Sequence, residues 1–329
     1  MAFNSFHKRV LASVLWMASL NACLETKPTL TVDLIGKGLP SYAFARTNYT
    51  ECPYQYLSYR SVEWLDPQFV IVAFSTSPSC SKGPEILRGN LRLITFDLNG
   101  SVVRSTDVPY DTVGSNVVSL LVHDGVWIGP DRRVIVEVPG SHLKAQPSSR
   151  DKVLVLSTEL SLEQEIDTDY HQTYYDAIRF EGVTADRQSV LFSTSESAVG
   201  RQRKCLLFRG KPLKQIGSCQ PQDLDDLDLS AQYHRSDLFP KDYSVVFAGM
   251  STDGRRASLF GVKKGGFFGL CDLISTFCPS SGRLVVFETA ANHPLLVRTL
   301  PVDGRAALSP SGAHLAVLEN DRLEVFSLP

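Results

Sequence analysis

The last stretch of the chain is Arg305-Ala-Ala-Leu-Ser-Pro-Ser-Gly-Ala-His-Leu-Ala-Val-Leu-Glu-Asn-Asp-Arg-Leu-Glu-Val-Phe-Ser-Leu-Pro329. It holds three short apolar pieces, Ala306–Leu308, Leu315–Leu318 and Leu323–Leu328. Two turns separate them, Ser309-Pro310-Ser311-Gly312 and Glu319-Asn320-Asp321. Pro and Gly suit the first turn; Asn and Asp, which tolerate left-handed backbone, suit the second. No piece is long enough for a helix, so the stretch predicts three antiparallel strands.

Upstream, turns of the same kind recur at Ser251-Thr252-Asp253-Gly254-Arg255, Thr184-Ala185-Asp186-Arg187, Gly129-Pro130-Asp131-Arg132 and Leu65-Asp66-Pro67-Gln68. Their spacing of 55–67 residues exceeds an ordinary forty-residue propeller unit and leaves room for long loops. Four strands can be drawn around each turn. The first unit takes Ser61–Trp64, Phe69–Phe74, Leu91–Phe96 and Val102–Ser105. The second takes Gly125–Ile128, Val134–Val138, Lys152–Leu156 and Leu162–Ile166. The third takes Ile178–Gly182, Ser189–Ser193, Cys205–Phe208 and Leu213–Ile216. The fourth takes Ser244–Gly249, Ala257–Val262, Leu284–Glu288 and Leu295–Leu300. The fifth unit has only its three C-terminal strands, and the alternating Thr29–Leu34 is the candidate for its fourth.

The C-terminal unit resembles a WD40-like repeat of periplasmic propellers such as that of the Tol–Pal system. Pro310-Ser311-Gly312, Leu315-Ala316-Val317 and Val325-Phe326-Ser327 carry the resemblance. It implies a single all-β domain, a β-propeller of four-stranded blades, closed by the N-terminal strand so that no long edge is left exposed. Five blades fit the turns. Six or seven is the alternative, because Asn116–His123 could hide further strands.

The N-terminus reads as a targeting segment, residues 1–22, ahead of one domain, 23–329. His7-Lys8-Arg9 is basic, and Val10–Leu20 is an apolar run of eleven residues, too short to span a bilayer and suited to a signal-peptide core. Leu20-Asn21-Ala22-Cys23 resembles a bacterial lipobox, with Asn21 a departure. The resemblance implies cleavage before Cys23 and a lipid on its thiol; an ordinary signal peptide with Cys23 incidental is the other reading. Leu24, not Asp, follows the cysteine, and the resemblance to Gram-negative sorting then implies a place in the periplasm or outer membrane. Net charge is −2 for the whole chain, which gives no basic surplus for nucleic acid.

Of seven cysteines, six follow Cys23: Cys52, Cys80, Cys205, Cys219, Cys271 and Cys278. An even set in an exported chain suggests disulfides, and six cysteines allow fifteen pairings. Local spacing favours Cys205–Cys219 across a hairpin and Cys271–Cys278 around a short loop, which leaves Cys52 for Cys80. No Cys-x-x-Cys pair or histidine cluster suggests a metal, and no cofactor is expected.

In alternating four-stranded blades, the second-to-third loops and the links between blades share one face. The long loops and all six cysteines fall there, so it is the expected binding face for a protein or glycan. Tyr170, His171, Tyr174 and Tyr175 form its densest aromatic cluster, suited to stacking and hydrogen bonding. Lys144, Arg150, Arg201, Arg203, Lys204, Lys263 and Lys264 lie in or beside the same loops. The acidic run from Asp223 to Asp228 lacks the spacing of a calcium loop. No nucleophile elbow, His-Glu-x-x-His motif or phosphate-binding glycine loop is present. The expectation is therefore an exported, lipid-anchored binding or scaffold module, not an enzyme. A propeller hydrolase acting on glycans or lactones is the alternative, and paired carboxylates near the axis would favour it.

Overall fold

The computed structural model describes residues 27–39, 54–79, 86–113, 126–138, 151–168, 177–184, 187–195, 204–219, 243–263, 281–290, 293–301 and 304–329. Twenty strands lie among them, in five four-stranded antiparallel sheets. The first sheet is β2 (Tyr54–Asp66), β3 (Phe69–Ser79), β4 (Ile86–Asp97) and β5 (Val102–Val113). The second is β6 (Val126–Ile128), β7 (Val134–Val138), β8 (Asp151–Leu156) and β9 (Leu162–Thr168). The third is β10 (Ala177–Val183), β11 (Val190–Ser195), β12 (Lys204–Arg209) and β13 (Lys214–Cys219). The fourth is β14 (Tyr243–Met250), β15 (Arg256–Lys263), β16 (Ser281–Glu288) and β17 (His293–Pro301). The fifth joins β18 (Arg305–Leu308), β19 (His314–Glu319) and β20 (Arg322–Ser327) to β1 (Leu30–Asp33).

β1 completes the last sheet as the sequence predicts. It pairs antiparallel with β20, Leu30 against Val325 and Asp33 against Arg322. The first sheet corrects the expected boundaries: its strands run to 11–13 residues, and β2 begins at Tyr54, ahead of the expected start at Ser61. Tyr54-Gln-Tyr-Leu-Ser-Tyr-Arg reads as polar, yet it pairs with β3 from Ser79 inward. Asn116–His123 lies outside the described residues.

β3, β7 and β19 are buried on both faces, which explains their unbroken apolar runs. Along β3, Val70, Val72 and Phe74 pack with the fifth sheet, while Ile71 and Ala73 pack with the second. Along β7, Val134 and Val136 face the first sheet and Ile135 faces Phe180 and Phe192 of the third. Along β19, Ala316 and Leu318 face the first sheet and Leu315 and Val317 face the fourth. Four apolar clusters thus join third to second, second to first, first to fifth and fifth to fourth. Leu191 of the third sheet and Ala257, Leu259, Val285 and Phe287 of the fourth are also buried. Among the described residues, no apolar cluster spans those two sheets.

Candidate functional site: two ends of the sheet assembly

Three of the five turns from first to second strand share one construction. Thr184, Ser251 and Ser309 each donate their backbone N–H to the carbonyl five residues on, at 3.0, 2.9 and 2.8 Å. The hydroxyl of each accepts the N–H of that same residue at 3.0 Å. The fourth position of each turn is left-handed, at φ 56° for Arg187, 69° for Gly254 and 72° for Gly312. Glycine adopts that backbone freely; arginine does so at a cost of about 1 kcal/mol. The second sheet's turn is one residue shorter, with Asp131 and Arg132 both at positive φ. In the third and second sheets, an arginine therefore occupies a place that glycine holds in the fourth and fifth.

These arginines reach the first sheet. Arg187 Nη1 donates to the Trp64 carbonyl at 3.4 Å, and its Nη2 lies 3.6 Å from Glu63 Oε2. Arg132 Nη1 lies 3.3 Å from Asp66 Oδ2. Trp64 Nε1 donates to the Ala307 carbonyl at 2.9 Å, and its ring stacks on His314 at 5.8 Å. Side chains of the second, third and fifth sheets thus converge on the end of β2. Burial pushes the Glu63 carboxyl above its ordinary value, opposed by the Arg187 charge and the Trp64 N–H. The Glu63 side chain still keeps 29% of its surface open, so it is enclosed by protein yet reachable by water.

The chemistry available here is pinning. Glu63 is paired with Arg187, and Asp66 is held by Arg132 and by the Gln68 and Phe69 N–H groups. Glu181 on β10 accepts from the buried Ser193 hydroxyl. Each carboxylate is committed to a partner that ties one strand or sheet to another.

The opposite end of the assembly holds a cleft of about 570 Å³ where the fourth and fifth sheets meet the end of β1. Asp33, Glu319, Asp321 and Glu324 line it with Arg298 and Arg322. Arg298 from β17 is the centrepiece. It donates to Glu319 at 2.9 Å, pairs with Glu324 at 2.7 Å, and lies 5.0 Å over the Phe326 ring.

Cys205 and Cys219 face each other across β12 and β13 with their Cα atoms 5.0 Å apart, and they form the expected disulfide. Cys23, Cys52, Cys80, Cys271 and Cys278 lie outside the described residues, as do Tyr170, His171, Tyr174 and Tyr175. So do the acidic run from Asp223 to Asp228 and the side chains of the seven basic loop residues. Arg187, Arg132 and Glu63 escaped sequence reading as site residues. The usable signal was an arginine at the glycine position of a repeated turn.

No family model matches the chain, and no curated protein matches it. Among solved structures it is similar to an acylaminoacyl peptidase of Pyrococcus horikoshii, at 10% identity and a TM-score of 0.27. The match covers 85% of this chain and 36% of that one.

Proposed function

We propose that the five sheets close into one β-propeller and that it is an exported, lipid-anchored binding or scaffold module. One observation carries the reading. Connections of two to six residues, tightly hydrogen-bonded, sit at one end of the sheets, where the first strand turns into the second and the third into the fourth. Connections of up to 23 residues leave the opposite end. A rigid base with long segments on one end is the layout of a recognition surface: scaffold geometry fixes the loops, and the loops meet the partner.

Closure into a ring is supported by burial. Among the described residues, the Leu191 face of the third sheet and the Phe287 face of the fourth are the two without an assigned apolar neighbour, and both residues are buried. Placing them against each other completes the ring. The partner is a protein or a glycan, met by the long-loop end with the Arg298 cleft at its margin. The mixed charge of that cleft suits a partner that also carries both signs.

The test is crosslinking in the native envelope. A photoreactive residue at position 174 or 320 is expected to yield a discrete adduct, and one at position 99 or 253 is not. Adducts confined to 99 and 253 would reverse the assignment of the binding end. Turnover of chromogenic glycosides or lactones that disappears with Glu63→Gln would replace the module with the hydrolase reading.

A further inference from the structure

Among the described residues, six large apolar side chains are exposed: Ile35, Leu98, Val102, Val103, Leu162 and Ile216. Single exposed apolar residues are ordinary, but five of these six lie on one rim. Leu98, Val102 and Val103 sit in or just after the turn from β4 to β5, Leu162 opens β9, and Ile216 lies near the start of β13. These are the third-to-fourth-strand turns of three consecutive sheets.

The turns are tied together. Arg104 on β5 donates to Glu159 in the next turn at 2.5 Å. Lys211 pairs with Glu163 at 2.8 Å, and Gln164 exchanges hydrogen bonds with the Leu213 backbone at 3.0 and 2.8 Å. The ion pairs cancel charge along the rim, and its exposed apolar side chains stand among them.

The chain enters the body at this rim. Thr29 N donates to the Val325 carbonyl at the start of β1. A Cβ on Gly100 would stand 3.0 Å from Val32 and 3.2 Å from Leu30, so the Leu98–Gly100 turn rests against β1. Cys23 precedes Thr29 by six residues. A chain of that length spans at most about 20 Å when fully extended.

We propose that this rim is a lipid-contacting edge on which the protein rests, with Leu98, Val102, Val103 and Leu162 at the bilayer surface. The inference rests on the lipid anchor proposed at Cys23. A lipid there can stand only a short distance from the rim. Its acyl chains, at about 0.8 kcal/mol per buried CH₂, supply the affinity. The rim supplies the orientation and turns the long-loop end away from the membrane.

The experiment places a tryptophan at position 98, 162 or 320, each an exposed or turn position, and measures quenching by brominated phospholipids in vesicles. The chain is expressed with its own N-terminus, and its intact mass reports whether diacylglycerol is attached. The indoles of Leu98→Trp and Leu162→Trp are expected to lose roughly half their added fluorescence, as a group about 5–10 Å into the headgroup boundary would. That of Asn320→Trp is expected to lose none. A mass without lipid overturns the anchor at Cys23. The rim is then decided by the same variants with six histidines in place of residues 1–22, held on nickel-chelating vesicles. On either support, quenching at 320 alone or at no position overturns the rim.

Discussion

Arg187 in the turn between β10 and β11 donates to the Trp64 carbonyl of β2 at 3.4 Å, although 123 positions separate them in the chain. The bond passes from the third sheet to the first, over the second. Among the described residues no apolar cluster joins these two sheets, so polar groups make the contact between them. The same guanidinium meets Glu63, so one side chain holds a backbone carbonyl and a partly enclosed carboxylate together.

Removing that guanidinium leaves Glu63 enclosed without its counter-charge. Arg187→Met is expected to cost about 2 kcal/mol, between the small value of an exposed pair and the 3–5 kcal/mol of a fully buried one. Chemical denaturation of the variant beside Glu63→Gln checks it. The double variant should recover most of the loss, because no stranded charge remains.

Glu63 also sets a pH dependence. Its folded carboxyl binds a proton more tightly than the unfolded one, whose ordinary value is 4.5. The folded state therefore holds more protons over the window above 4.5, and stability falls as pH rises through the raised folded value. Glu63→Gln is expected to flatten this fall, and Arg187→Met to steepen it, because Arg187 opposes the upward shift. Thermal melts from pH 4 to 8 read both slopes. Parallel curves for all three proteins would contradict the assignment.

The repeated turn makes a paired prediction. Gly312 and Gly254 both stand at positive φ, but a Cβ on Gly312 meets Arg256 Cδ at 2.9 Å and Ser251 Cβ at 3.2 Å. A Cβ on Gly254 meets only Met250 Sδ, at 3.6 Å. Gly254→Ala should cost the backbone strain, about 1 kcal/mol, and Gly312→Ala that strain plus a clash, about 2–3 kcal/mol. Equal costs, measured by urea unfolding, would show that the Arg256 side chain swings clear.

Much of this was legible in the sequence, and the limits have physical causes. The turn and strand pattern of Arg305–Pro329 yields the last sheet nearly to the residue, because Pro310, Gly312, Asn320 and Asp321 punctuate strands of ordinary length. The missing partner of that sheet was legible too, since Thr29–Leu34 alternates with nothing beside it. The long first sheet was not, because Tyr54–Arg60 carries no apolar run and is a strand only through its pairing with β3. The Cys205–Cys219 bridge follows from hairpin register. The convergence of Arg132, Arg187 and Glu63 follows from packing between sheets, which no local pattern encodes.

The hydrogen bond from Trp64 Nε1 to the Ala307 carbonyl joins β2 of the first sheet to β18 of the fifth, 2.9 Å long and buried. Trp64→Phe keeps most of the apolar volume and removes the donor. The Ala307 carbonyl then loses a partner, and an unsatisfied buried acceptor costs about 1–3 kcal/mol. A loss in that range is expected by denaturant titration with an unchanged m-value, since the exposed surface on unfolding stays the same. The junction it secures also includes β1, whose Val32 is buried between the two sheets. Hydrogen exchange should therefore quicken selectively in β1, β2 and β18, while the second sheet stays protected. Uniform acceleration across all five sheets would mean that they unfold as one cooperative unit and that this junction has no local opening of its own.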